Sequence, residues 1–416
     1  MKILFMHQNF PGQFKHLARH FAVDAENEVL FITRPKAVEI PGVTKHAYKL
    51  HRKPRRDIHH YVSHLESSVL YGQAAGRIML SLKNKGYVPD VIVAHPGWGE
   101  SLYTKDIYPD VPLLNYCEFY YLSSGSDVGF DPEIEVTVND FCRIRTKNAN
   151  NLLSLEACDA GLSPTKWQRD QFPREYAYKI ALIHDGINTD IASPDPKAAL
   201  QLPNGKTVTR KDEVVTYIAR NLEPYRGFPV FMRAAEEICR RRPNCQIIIV
   251  GGDGVSYGRR PPKGQTYRSI ALNEVTIDPE RVHFLGWLAY ERFLKVVQAS
   301  SVHVYLTYPF VLSWSMLEMM SAEGLVIASA TPPVTEIIEE GKNGLLFDFF
   351  DHKAIADRVD EVLDHKTQMA QIRKRARKTI LERYELSACM KKQIELIQDL
   401  ANGNRPSQEK PATPPA

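Results

Sequence analysis

The chain has 416 residues, 44% of them hydrophobic and 25% charged, with a formal net charge of +4. That length predicts two or three domains, and the mixture excludes a disordered chain, a collagen-like chain and a small disulfide scaffold. The weak basicity is not that of a dedicated nucleic-acid binder, so no nucleic-acid partner is expected. Six cysteines (117, 142, 158, 239, 245 and 389) lie far apart with no Cys-X-X-Cys, which fits reduced thiols in the cytoplasm. No apolar run approaches the ~20 residues of a membrane span, and the four apolar residues after Lys2 fall short of the ~7–15 of a signal peptide.

Taken in chain order, short apolar runs alternate with helical patterns. Lys2–His7, Glu28–Thr33, Val91–His95 and Val111–Tyr116 read as strands, with helices near 11–21 and 57–83. Runs such as Ile3-Leu4-Phe5-Met6 are apolar on both faces, as in strands covered by helices on either side. Residues 191–212 are rich in Pro, Gly and polar side chains and read as a linker. The alternation then restarts. Strands are expected at Val214–Ala219, Gln246–Val250, Val282–Leu285, Val302–Thr307, Leu325–Ser329 and Leu345–Phe347, with helices at Phe228–Arg241 and Tyr290–Ala299. This pattern predicts an α/β chain of two doubly wound parallel-sheet domains, with ligands beyond the carboxyl ends of the strands. The expected division is 1–190, the linker 191–212, a second domain 213–365, and C-terminal helices 366–401 packing back toward the first domain. The tail 402–416 holds four prolines and almost no apolar side chains, and reads as disordered.

Two segments of the second half carry the most chemistry. In the first, a strand ends at Ala219, Arg220 stands at its carboxyl end, and Arg226-Gly227 precedes a helix. Guanidinium forks match phosphate oxygens and stay ionised, so this pair suits a diphosphate whose charge grows as a bond to it breaks. In the second, a strand leads through Tyr308-Pro309-Phe310 to a helix opened by Ser313, Trp314 and Ser315, with Glu318 about one turn inside. A serine-capped helix N-terminus favours anions, and a carboxylate there can accept from two neighbouring ribose hydroxyls. Each segment also has a plain reading, as surface arginines in a loop and as a capped helix that binds nothing.

In this order and separation the segments resemble the retaining glycosyltransferases of family 4. Arg220…Arg226-Gly227 matches the family's Gly-Arg-Leu…Lys-Gly motif, with Arg for Lys, and Pro309-Phe310…Leu317-Glu318 matches the latter half of its Glu-X7-Glu motif. Val282-His283-Phe284-Leu285-Gly286, Pro332-Pro333-Val334-Thr335-Glu336, Gly341-Lys342-Asn343-Gly344-Leu345-Leu346 and the interdomain His184-Asp185-Gly186-Ile187-Asn188 match further stretches. The N-terminal His7-Gln8-Asn9-Phe10-Pro11-Gly12-Gln13-Phe14 is similar to its glycine-containing first loop. The resemblance takes in roughly residues 1–400 and is stronger in the second half. Two departures stand out. Phe310 occupies the place of the first glutamate of Glu-X7-Glu, which contacts the transferred sugar in the family, and Glu118 stands where the family often has a histidine.

The resemblance implies the GT-B fold, two Rossmann-like domains facing across a cleft. It implies transfer of a sugar from a nucleotide-diphosphate sugar, with retention, to a saccharide, lipid-linked glycan, small molecule or protein, in bacterial-type glycan or glycoconjugate synthesis. Arg220, Arg226, Glu118 and His95 are the expected catalytic residues. The donor is expected on Gly12, Arg220, Arg226, Phe310, Ser313, Trp314, Ser315 and Glu318, and the acceptor on Asn9, Phe10, Trp98 and Glu100. No cofactor or metal is expected, and the chain has no Asp-X-Asp. Rival readings are a GT-B epimerase or phosphorylase, and a non-catalytic nucleotide-sugar-binding protein.

Other signals are weaker. His95-Pro96-Gly97-Trp98-Gly99-Glu100 is a strand-end loop in which Trp98 can stack on a sugar and His95 or Glu100 can bond its hydroxyls; its plain reading is a structural turn. Gly251-Gly252-Asp253-Gly254 has the wrong spacing for a dinucleotide fingerprint, so 251–275 reads as a long loop. Residues 45–56 hold six Lys/Arg, two His and no acid. This patch reads as a solvated loop, or as a peripheral contact with an anionic membrane at its inner face, or with a pyrophosphate-linked acceptor. His60 and His64 have helical i, i+4 spacing but lack a set of four ligands for zinc.

Overall fold

A computed structural model describes residues 1–404; the expectation for the tail falls on 405–416, outside them, and on 402–404. The described residues form two compact units, one of Met1–Asp185 with 387–404, the other of Gly186–Leu386. The fold is α/β, with an all-parallel sheet in each unit.

The first unit carries seven parallel strands. They are β1 (Lys2–Met6), β2 (Glu28–Thr33), β3 (Val43–Ala47), β4 (Val91–Ala94), β5 (Leu113–Tyr116), β6 (Ala160–Ser163) and β7 (Ile180–Leu182), in the order β3-β2-β1-β4-β5-β6-β7. Alternation along β1 explains its double burial. Ile3 and Phe5 face a core with Leu17, Ala18 and Phe21 of the helix Lys15–Val23. Leu4 and Met6 face another with Ala74, Ala75 and Met79 of the helix Ser63–Asn84. The C-terminal helix Leu386–Ala401 adds Ile397 and Leu400 to the first of these cores.

In the second unit, residues 191–212 are more ordered than a linker. The strands β8 (Ala199–Gln201) and β9 (Thr207–Thr209) form an antiparallel hairpin, and Ala192, Leu200, Leu202 and Val208 are buried in that unit's core. The apolar residues interleaved with the polar ones supply the buried face. The main sheet comprises β10 (Val214–Asn221), β11 (Gln246–Gly252), β12 (Val282–Gly286), β13 (Val302–Tyr305), β14 (Val326–Ser329) and β15 (Leu345–Phe347), in the order β12-β11-β10-β13-β14-β15. Within 251–275 a helix at Tyr267–Glu274 interrupts the expected loop, because Thr266 and Ser269 cap one another's backbone.

Both strand orders reverse once, between β1 and β4 and between β10 and β13. Loops leaving the two strands there diverge, opening a crevice at their carboxyl ends. No helix among the described residues is long and apolar enough to cross a membrane.

Candidate functional site

In the first unit, the residues just past β1 and β4 are His7 and His95, and both are buried. Their rings approach to 5.0 Å, and Trp98 stacks on His95 at 4.6 Å. The hydrogen bonds set both tautomers. Asn9 N–H donates to His7 Nδ1 at 2.8 Å, so the ring proton sits on Nε2, 2.7 Å from Gln13 Oε1. Gln13 Nε2 donates onward to Glu118 Oε1 at 2.9 Å. Gly97 N–H donates to His95 Nδ1, leaving His95 Nε2 to donate to Glu118 Oε2 at 3.3 Å. Glu118 thus accepts from two sides and is part-exposed. Burial, reinforced by His95, pulls the His7 pKa down to about 3, so His7 works as a neutral donor.

Gly12 serves this network directly. Its φ is +55°, and a Cβ there would lie 2.5 Å from His7 Nε2, so only glycine lets the loop close over the imidazole. Asn9 is exposed, but Phe10 is not. Contrary to the expected acceptor role, the Phe10 ring sits edge-on to Phe31 at 4.8 Å inside the core. Glu100 is likewise corrected. It is fully buried and accepts from Tyr48 Oη, and burial raises its carboxyl pKa, which makes it a structural acid. The 45–56 patch is partly neutralised by acids beyond it. Lys45, in edge strand β3, pairs with Glu39, Arg52 with Glu66 and Arg55 with Asp57.

In the second unit the reversal point gathers Arg220, Arg226 and the loop after β13. Arg220 is exposed at the end of β10 and has no hydrogen-bond or ion-pair partner among the described residues. Arg226 is buried. Its Nη1 donates to Thr307 Oγ1 at 2.7 Å, and its guanidinium lies 5.2 Å from the Tyr257 ring centroid and 5.9 Å from that of Phe310. Gly227 makes this turn possible with φ +67°, since a Cβ would meet Leu306 Cβ at 2.5 Å.

Ser313 is the N-cap of the helix Trp314–Ser321. Its Oγ accepts from Ser315 N–H at 3.3 Å and shares a 2.8 Å hydrogen bond with Ser315 Oγ. Trp314 is 47% exposed. Glu318 Oε1 accepts from Tyr290 Oη at 2.7 Å. Phe310 packs edge-on to Tyr225 at 5.5 Å and against Tyr257 at 4.9 Å, so an aromatic wall stands where the resemblance places a carboxylate.

Sequence reasoning missed His7, Gln13, Thr307 and Glu223. Glu223 is fully buried, and its carboxylate accepts the N–H groups of Ser256, Tyr257 and Gly258 at 3.1–3.3 Å. His7 was findable, since it follows β1 as His95 follows β4. Gln13 and Glu118 are 105 residues apart, and no sequence signal joins them. Among the described residues no group of three or more His, Cys, Asp or Glu is placed to hold a metal ion.

Comparison with known proteins fits this geometry. Residues 25–192 match the model described as glycosyl transferase family 4 group, and residues 204–379 the model described as glycosyl transferases group 1. The chain is thus similar to the group 1 glycosyltransferases over most of its second unit and to the family 4 group over most of its first. Among curated relatives, a D-inositol 3-phosphate glycosyltransferase from Mycobacteroides abscessus is 26% identical over 191 residues, 45% of this chain and 40% of the relative. The α-D-kanosaminyltransferase of Streptomyces kanamyceticus is 24% identical over 221 residues, 53% of this chain and 54% of the relative. The chain thus spans about half the length of the curated relatives it matches. Among solved structures, Anabaena HepE in complex with UDP-glucose superposes with a TM-score of 0.70 at 16% identity, covering 96% of this chain and 100% of that one. Sucrose-phosphate synthase from Thermosynechococcus elongatus gives 0.71 at 16% identity, covering 97% and 100%. These likenesses establish the fold as GT-B, two Rossmann-like domains.

Proposed function

We propose that the chain moves a sugar from a nucleotide-diphosphate sugar to an acceptor hydroxyl, with retention and without a metal, in glycan or glycoconjugate synthesis. The observation that carries this reading is the cluster at the β10/β13 reversal: unpartnered Arg220, Arg226 anchored on Thr307, and the Ser313-capped helix with Glu318. In this reading the two guanidiniums and the helix N-terminus neutralise the leaving diphosphate, and Glu318 holds the ribose. The bond from C1 to the phosphate oxygen breaks while the acceptor oxygen bonds C1 on the same face. The hydroxyl proton passes to the leaving phosphate. Glu118, oriented by Gln13 and His95, holds the acceptor hydroxyl, and Trp98 lies against its sugar. Charge stabilisation by Arg and helix dipole makes a metal unnecessary for this step. Five of the six cysteines are buried and none stands in a Cys-X-X-Cys pattern, which supports a reducing, cytoplasmic setting.

Phe310 favours a second reading, a protein that binds nucleotide sugars without turning them over. One experiment separates the two. The full chain, with EDTA present, is incubated with UDP-, GDP-, ADP- and TDP-sugars and a panel of acceptors, and the product anomer is read by NMR. Transfer with retention is expected. The Arg220→Ala variant should lose at least a hundredfold in kcat/KM, roughly 3 kcal/mol of charge stabilisation, while keeping its fold. Tight donor binding with no turnover on any acceptor supports the second reading, and wild-type rates in Arg220→Ala rule out the clamp.

A further inference from the structure

A second cavity lies in the first unit, off the His95–Glu118 network, with a volume of about 330 Å³. Arg55, His60, His64, Arg143 and Lys147 line it. Arg55 and His60 come from the loop before the helix Ser63–Asn84, His64 from that helix's first turn, and Arg143 and Lys147 from the helix Val138–Lys147. The serines Ser63 and Ser67 add hydroxyls at the same end. Among the described residues no side chain caps the N-terminus of this 22-residue helix, so its positive end opens toward a wall already rich in cations.

The charges here are not balanced from within. Arg55 pairs with exposed Asp57, and Arg143 reaches Asp140 at 3.4 Å. Glu66 accepts the Arg55 N–H and pairs with Arg52. Lys147 has no acidic partner among the described residues; its ammonium sits 3.4 Å from the centroid of the Tyr121 ring. Burial pulls the Lys147 pKa down to about 8, with Asp127 opposing and Arg143 adding to the fall. His64 Nδ1 is buried with no hydrogen-bond partner among the described residues. Burial, then Lys147 and Arg143, pull the His64 pKa down to about 4. Lys147 thus carries no ion pair among the described residues, and Arg143 keeps guanidinium donors beyond its single contact with Asp140; a phosphate dianion with its acceptor oxygens matches such donors.

The position of the cavity narrows the ligand. His64 and Lys147 also line the neighbouring cavity that holds His95, Gly97 and Glu118. A molecule with its phosphate on Lys147 and Arg143 can therefore extend toward Glu118.

We propose that the cavity formed by Arg55, His60, His64, Arg143 and Lys147 binds the phosphate group of a small phosphorylated acceptor, and so sets acceptor choice. The inference rests on the reading of the first unit as the acceptor side of a transferase. Its role is recognition; no bond changes at the phosphate.

The test measures binding to the full chain without donor. Calorimetry with inorganic phosphate, pyrophosphate and glucose 6-phosphate, against glucose at equal ionic strength, should show binding by the phosphates only. Arg143→Gln and Lys147→Met should each weaken it about tenfold or more, as for a lost hydrogen bond to a charged group. Acetylation of Lys147, followed by mass spectrometry, keeps the test independent of those variants' folding; phosphate should protect Lys147 and chloride should not. Flotation with phosphatidic acid vesicles separates the lipid source. Binding to vesicles but to no soluble phosphate overturns the proposal in favour of a headgroup site. Equal affinity for glucose and glucose 6-phosphate, or Lys147 labelling unmoved by phosphate, overturns it outright. Phosphate binding that persists in a chain with no transferase activity leaves this site standing and removes the proposed function, so the two failures are distinguishable.

Discussion

The Glu118 carboxylate is placed by residues that do not themselves reach outward. Gln13 is the hinge of this arrangement, because its amide must present oxygen to His7 and nitrogen to Glu118 at once. A leucine at 13 fills similar space but removes both the bond to His7 Nε2 and the bond to Glu118 Oε1, so Glu118 loses one of the groups that orient it. As a positioning residue, Gln13 should affect the reacting geometry and not donor capture. Gln13→Leu is expected to lower kcat about ten- to a hundredfold, the cost of a displacement of about 1 Å, with donor KM unchanged. Steady-state kinetics with the donor varied reads this split. A raised donor KM at full kcat would show that Gln13 serves the donor instead.

Among the elements, the loop after β11 shows how a buried charge shapes a site. Glu223 draws three successive backbone N–H groups of the 251–266 segment onto one carboxylate, and that brings Tyr257 over Arg226. Removing the acceptor strands these donors. Glu223→Ala should cost about 1–3 kcal/mol and raise amide exchange at Ser256–Gly258, while exchange in β11 itself stays slow. Unchanged exchange at those three amides would remove Glu223 as the anchor. The elements also show what a sequence discloses. Strands such as β1 and β11 were legible because apolar runs on both faces have few other uses. Strand β3 (Val-Thr-Lys-His-Ala) was not, since an edge strand keeps one side polar and its Lys45 counted toward a basic loop. Strand β6 (Ala-Gly-Leu-Ser) has too little apolar bulk to register, although all four residues are buried. The diphosphate candidates were legible because they flank single strands. The Gln13–Glu118 bond and the Lys147 cavity were not, because each joins segments that only the folded sheet brings together.

At the scale of the whole molecule, buried histidines set the acid limit. Burial pulls His7 down to about 3, His184 to about 4 and His303 to about 3. The unfolded chain takes up protons on these imidazoles below about 6.5, and the folded chain refuses them until pH 3–4. The unfolded state therefore binds more protons across that window, and stability falls as pH drops from 6.5 toward 4. Each histidine should cost about 2 kcal/mol by pH 5. Urea midpoints at pH 7, 6 and 5 should fall steadily, and His303→Gln should flatten the slope of the second unit. A midpoint flat between pH 7 and 5 contradicts neutral burial.

The chain path has a further consequence for stability. The chain leaves the first unit at Asp185 and returns at Ser387, so the last helix completes a core begun by the first strand. Ile397 is fully buried and Leu400 nearly so, in the cluster with Ile3, Phe5 and Phe31. Ile397→Ala should remove about 2–5 kcal/mol from that core, although the residue lies nearly 400 positions from β1. The proposed nucleotide contacts all lie in the other unit, where a ligand at about a hundred times its Kd adds about 2.7 kcal/mol. The two perturbations act on different cores. In calorimetry of the full chain, Ile397→Ala should lower one transition while a bound nucleoside diphosphate raises the other, and limited proteolysis should assign them to 1–185 and 186–386. If both move a single shared transition, the units unfold as one, and the returning helix acts on the stability of the entire chain.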